Sequence, residues 1–290
     1  FTNEIDQSFL PAAIAEIGAC VIGPTVKGPA LVPTVVTSYS DFQSKFGDVF
    51  KSGSNSYQFL TSHTAEQYLK NSDTLTVVRI LDGTFGPATT NITTGSDSNN
   101  SGVAFTLTTH ADGTIMNNSG SGVMTGSNEI LLSGSRHNIR YEVSGINNKK
   151  GTFTLSLRRG DDTIKRKQVL ESYSGINLDP NSTNYIGKAI GDQVQTVRSD
   201  ENLKPFLQLS GSFPNKSKFV RVSGILDTVD YLDENGNVRV AAASSSLPMS
   251  GSGSANGGFS GGVDGLSGFD ALGNQNGTLG STAVTFYEEI

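Results

Sequence analysis

Two Gly-Pro steps, Gly23-Pro24 and Gly28-Pro29, stand close together inside residues 15–47 and limit what this chain can fold into. Proline fixes φ and lacks a backbone donor, so neither a helix nor a central strand can run through the segment. The apolar run before it, residues 17–22, has the length of a buried strand bounded by glycine. Residues 33–38 (PTVVTS) are β-branched and read as a second strand. Ser38 or Ser40 is placed to cap a helix over residues 41–46, which stops at Gly47. The stretch holds no histidine, no paired acids and no nucleophile beside a base. It reads as a scaffold.

The order and spacing of Gly23-Pro24, Lys27-Gly28-Pro29, Pro33, Val36-Thr37-Ser38, Phe42 and Phe46-Gly47 resemble the N-terminal signature of contractile tail sheath proteins of myophages. A second block is similar to sheath sequences of larger myophages: FTLSLRRGDD at 153–162, VLESYSGINLDPNSTNYI at 169–186, and Ile190-Gly191-Asp192. FTNEIDQS at 1–8 resembles the family's stretch after an initial Ser-Pro-Gly, with Glu4 and Asp6 in place, so a few residues are expected ahead of Phe1. Gly261-Gly262-Val263-Asp264-Gly265 resembles a glycine-rich loop before the family's C-terminal region, which is expected beyond residue 290.

The resemblance implies a structural subunit and not an enzyme. Sheath subunits stack as hexameric rings in a helix around a rigid tube, and baseplate triggering shortens and widens that helix to drive the tube through the host envelope. The implied partners are copies of the chain itself, the tail tube protein, and baseplate and tail terminator proteins, with no cofactor. The implied location is the virion, after assembly in the host cytoplasm. Gly23, Pro24, Gly28, Pro29, Pro33, Ser38, Phe42, Phe46 and Gly47 are the implied core signature. Phe1, Glu4, Ile5 and Asp6 belong to an expected subunit-linking arm, with Phe1 and Ile5 as anchors. One alternative is the sheath of a phage-derived bacteriocin or injection system. A more distant one is a tail adhesin or receptor-binding protein, suggested by Gly/Ser/Asn-rich segments but short of aromatic platforms, since the chain has no Trp.

The fold class expected is α+β and multidomain: an α/β core unit, inserted antiparallel β-rich domains and long Gly/Ser-rich loops. A chain of 290 residues has room for more than one domain. Its 34 glycines and 35% hydrophobic content favour strands and loops around modest cores. The expected divisions are an arm at 1–14, part of the sheath core at 15–86 (completed beyond 290), a β-rich insertion at 87–150, a second α+β domain at 151–240, and a Gly/Ser-rich loop at 241–290 that begins the return to the core. Within the core, residues 56–70 read as a helix capped by Ser54 or Ser56, and 75–81 (LTVVRIL) as a strand central in a sheet. Residues 83–102 read as a boundary or surface loop. Strands are expected at 103–108, 129–132, 138–143, 206–209 and 218–222, and a hairpin joins 152–158 to 164–170. Ile186, Ile190, Val194 and Val197 predict one face of a helix over 183–197. Glu234-Asn235-Gly236 signals a turn within 226–240, and 241–282 reads as an exposed loop too poor in aliphatics for a core.

Net charge −6 and pI near 5.1 argue against a nucleic-acid surface. No apolar run reaches membrane-helix length, so direct membrane insertion is not expected. Cys20, the single cysteine, is expected as a small buried thiol. His63, His110 and His137 match no metal-ligand spacing, so packing or surface roles are expected and no metal site. Asp161-Asp162 reads as a turn whose carboxylates diverge, and Arg159-Gly160-Asp161 as a chance adhesion tripeptide. Asp233-Glu234-Asn235-Gly236 lacks the closing glutamate of a calcium loop. The glycines at 251–262 have no Lys-Ser/Thr after them, so they are not a phosphate loop. Lys149-Lys150 and Lys165-Arg166-Lys167 read as solvated basic faces.

Overall fold

The computed structural model describes residues 18–52, 55–81, 83–94, 102–118, 134–163, 165–201, 203–249 and 256–264. The fold is α+β with several separate sheets. Phe1, Glu4, Ile5 and Asp6, and the strand expected at 129–132, lie outside the described residues.

The first unit contains β1 (Ala19–Gly23), β2 (Thr34–Val36), α1 (Tyr39–Phe46), β3 (Val49–Ser52), β4 (Asn55–Gln58), α2 (Leu60–Leu69) and β5 (Leu75–Arg79). β5 is central, parallel to β1 and antiparallel to β2. Period-2 alternation turns Leu75 and Val77 inward, where they join Val36, Phe42, Phe46 and Ala65 in a small core. The same alternation turns Cys20 and Ile22 outward, and Ile22 is 63% exposed. The Cys20 thiol is therefore exposed, against the sequence expectation: an apolar run does not reveal which of its residues face the helices.

α2 starts at Leu60 with Phe59 at the cap position and no side-chain cap, so Ser56 does not cap it, and Ser54 lies outside the described residues. Asn55–Gln58 pairs instead with Val49–Ser52. Phe50 stacks on Tyr57 and Phe59, with centroids 5.9 and 4.7 Å away, and this ring cluster holds the hairpin.

The second body contains β6 (Phe85–Thr93), β7 (Val103–Asp112), β8 (Ile139–Asn147), β9 (Thr152–Arg159), β10 (Val169–Asn177), α3 (Ile186–Ile190), β11 (Val194–Ser199), β12 (Pro205–Ser210), β13 (Val220–Ser223), β14 (Asn256–Gly257) and β15 (Val263–Asp264). Two four-stranded sheets, ordered β13-β7-β6-β15 and β10-β9-β8-β14, share one apolar core. Phe105 stacks on Phe153 across it at 5.8 Å, and Phe259 meets Tyr141 edge-on.

Four expectations change here. Residues 85–93 are a strand and not loop, because Ala88 and Ile92 reach the core while the threonines between them pair with β7. β10 begins at Val169, so the β9–β10 connection is longer than expected. The helix expected over 183–197 stops at Ile190. Gly191 turns the chain at φ +105°, pressed on Asn215, and Val194–Ser199 pairs with Pro205–Ser210. Finally, the described part of 241–282 contributes to the core. Leu247 and Phe259 are buried, and β14 and β15 each close a sheet edge. Strand hydrogen bonds and single apolar anchors carry this segment in place of aliphatic density.

Candidate functional site

Apart from Pro33, the signature residues lie where β1, α1 and β5 come together. β1 ends at Gly23, whose missing Cβ leaves space for the Thr61 hydroxyl at the start of α2. Pro24 follows, half-buried. The Thr25 hydroxyl donates to the Lys27 carbonyl at 2.8 Å, and the Lys27 amide donates to the Phe46 carbonyl at 3.0 Å. Gly28 takes φ +120°, and a Cβ there would lie 2.5 Å from the Phe46 ring. Ser38 caps α1 by accepting from the Asp41 amide at 3.1 Å. Phe42 and Phe46, one turn apart, are fully buried and stack at 5.5 Å. Gly47 ends α1 at φ +75°, and a Cβ there would sit 2.8 Å from Val26 Cβ. Pro29 is half-buried beside this knot, and Pro33 lies exposed outside it.

Arg79 ties the knot to the β-rich body. The side chain is buried, and Nη1 donates to the carbonyls of Gly28 at 2.9 Å and Asp112 at 2.8 Å. Burial lowers its pKa to about 10, opposed by the carboxylates of Asp264 and Asp112, so the guanidinium stays charged at neutral pH. Asp112 accepts from the Ala30 amide at 2.8 Å, and Asp264 accepts from the Thr114 amide at 2.9 Å and from its hydroxyl. Sequence reasoning missed this trio. The available signal was an arginine inside the apolar run LTVVRIL, because a buried charge requires buried partners.

A second ionic cluster sits at the turn after β9. Asp162 bridges Arg158 at 2.7 Å and Arg140 at 2.8 Å, all three with side chains out of solvent. Glu142 reaches Arg158 and Lys167, each at 2.6 Å. Burial would raise the Glu142 carboxyl, but Lys167 and Arg158 outweigh it and hold its pKa low. Asp161 pairs with Arg159, so the two adjacent aspartates turn to different partners. This cluster locks a turn. His110 and His137 are pushed by burial to a pKa of about 4 and are neutral at pH 7. Among the described residues no group of three His, Cys, Asp or Glu side chains is placed to hold a metal. No helix among them is long and apolar enough to cross a membrane.

Among the described residues two apolar surfaces are exposed. The outer face of the β1-β5-β2 sheet shows Ile22 and Val35. The β11–β12 ribbon carries Val197, Leu207 and Leu209 on one face, with Leu203, 84% exposed, at its tip. Solvated monomers seldom carry contiguous apolar surface without a use for it.

No family model matches the chain, and no curated protein matches it. It is similar to the solved structure of a sheath tail protein from Desulfitobacterium hafniense, at 12% identity and TM-score 0.36, covering 86% of this chain and 36% of that one. It is also similar to a sheath tail protein from Listeria innocua, at 12% identity and TM-score 0.37, covering 85% of this chain and 34% of that one. The chain thus spans about a third of the length of each of these two sheath tail proteins.

Proposed function

We propose that this chain is part of a structural subunit of a contractile phage tail sheath, which polymerises helically around the tail tube and contracts to drive the tube through the host envelope. The observation that carries this reading is the knot of Gly23, Gly28, Phe46 and Gly47. In it the missing side chains of Gly23, Gly28 and Gly47 admit Thr61 of α2, the Phe46 ring of α1 and Val26, and Phe42 stacks on Phe46. The exposure of Ile22 and Val35 on the outer face of that same sheet, among the described residues, supports it, since such a face is suited to burial by further polypeptide.

Physically, a sheath is an open helical assembly of heterologous contacts with two packings of different free energy. The extended packing is held kinetically, and contraction releases the difference through subunit contacts. The partners in this reading are copies of the chain, the tube protein, and the baseplate and terminator proteins. The expected location is the virion, after assembly in the host cytoplasm. Electron microscopy of the full-length protein expressed alone tests the proposal. Hollow tubes with six-fold rings are expected, and discrete particles under every salt condition would overturn it.

A further inference from the structure

A cleft of about 720 Å³ opens between the signature loop and the base of the β11–β12 ribbon. Leu31, Val32 and Thr34 form one wall, and Val194–Val197 form the other. Lys27, Lys45, Lys216, Lys218 and Arg221 line it, against the carboxylate of Asp112. Two of these cations, Lys45 at 2.9 Å and Lys218 at 3.2 Å, share the Asp41 carboxylate. This is a local excess of positive charge on a chain of net charge −6.

Lys27 is buried with its ammonium 5.9 Å from the Phe219 ring centroid, and among the described residues it has no ion-pair partner. His110, also in the lining, has a buried Nε2 that finds no hydrogen-bond partner among the described residues. β11 pairs only with β12, so among the described residues it presents an unpaired strand edge, and its Val194–Val197 line the cleft; on the β2 side Thr34 lines it, and the Val35 carbonyl accepts from Lys45 Nζ at 3.0 Å. Leu31 holds a left-handed backbone at φ 57°, a conformation that is strained for a leucine.

We propose that this cleft docks an extended acidic polypeptide segment in which apolar residues alternate with carboxylates. The cations take the carboxylates. The walls take the alternate apolar side chains, and a free strand edge supplies backbone hydrogen bonds to an added strand. A small free anion would use the cations but neither the edge nor the walls, which is why the geometry favours a peptide. The inference concerns binding by the dispersed chain and stands apart from tube formation, so either can fail alone.

The test is fluorescence anisotropy of the whole chain with a labelled peptide of four Glu-Val repeats. Controls are a Lys-Val counterpart, a version N-methylated at alternate amides, and inorganic phosphate as competitor at fixed ionic strength. The Glu-Val peptide is expected to bind at least about tenfold tighter than Lys-Val, with N-methylation costing about tenfold, as loss of one or two backbone hydrogen bonds requires. The double variant Lys216→Ala, Lys218→Ala, at exposed positions and checked for an unchanged melting temperature, is expected to weaken binding about fivefold. Four results would overturn the proposal: equal affinity for both peptides, indifference to N-methylation, displacement by phosphate alone, or no binding at about millimolar peptide.

Discussion

Arg79, the last residue of β5, lies with Nη1 2.8 Å from the carbonyl oxygen of Asp112, the last residue of β7. The same nitrogen holds the Gly28 carbonyl at 2.9 Å, so one buried guanidinium joins the signature loop to the β-rich body. The Asp112 amide donates back to the Gly28 carbonyl at 3.1 Å and closes the junction. Arg79→Met leaves these carbonyls and the nearby Asp264 carboxylate without the cation. A loss of about 3–5 kcal/mol is expected, measured by urea unfolding. Arg79→Lys is expected to recover less than half, because a single ammonium lacks the planar fork.

Gly28 and Gly175 both have positive φ but differ in surroundings. Gly28 sits against the Phe46 ring, whereas a Cβ at Gly175 would meet open space. Gly175→Ala is expected to cost about 1 kcal/mol from backbone strain alone. Gly28→Ala adds overpacking of a buried ring and is expected to cost about 3 kcal/mol or more. Comparing the two chemical midpoints at constant m-value checks the difference.

Burial holds both His110 and His137 at a pKa of about 4 in the folded chain, against 6.5 for the free side chain. Between these values the unfolded state binds more protons than the folded one. The contribution is therefore complete above about pH 6.5 and is lost as pH falls toward about 4. At pH 5 the expected loss is about 2 kcal/mol per histidine. The His137→Gln variant should lose correspondingly less stability between pH 7 and pH 5 than the parent. Equal slopes in urea titrations would refute the assignment.

Asp162 compensates two buried arginines, whereas its neighbour Asp161 makes one partly exposed pair. Asp162→Ala is expected to cost about 3–5 kcal/mol, by removing the carboxylate that the buried Arg140 and Arg158 share and leaving Glu142 as the carboxylate partner of Arg158. Asp161→Ala is expected to stay within about 1 kcal/mol. Thermal melts of the two variants at one pH separate the outcomes.

The sequence by itself determined the elements whose signals are local. α1 follows from Ser38, from Phe42 and Phe46 one turn apart, and from Gly47, since cap, stripe and stop lie within one short segment. The central place of β5 was legible because an apolar, β-branched run needs sheet on both edges. The signature glycines could be picked out as well, but not the atoms that require them, because Thr61 and Phe46 approach only once the chain has folded back. Tertiary structure alone decided which face Cys20 takes, the strand at Phe85–Thr93, the conversion of an apparent helical stripe at Val194 and Val197 into a ribbon, and the burial of Phe259. It also decided the partners of Arg79. Each of these outcomes depends on a strand edge or a buried counter-charge supplied from far along the chain, and no window of local sequence contains that partner.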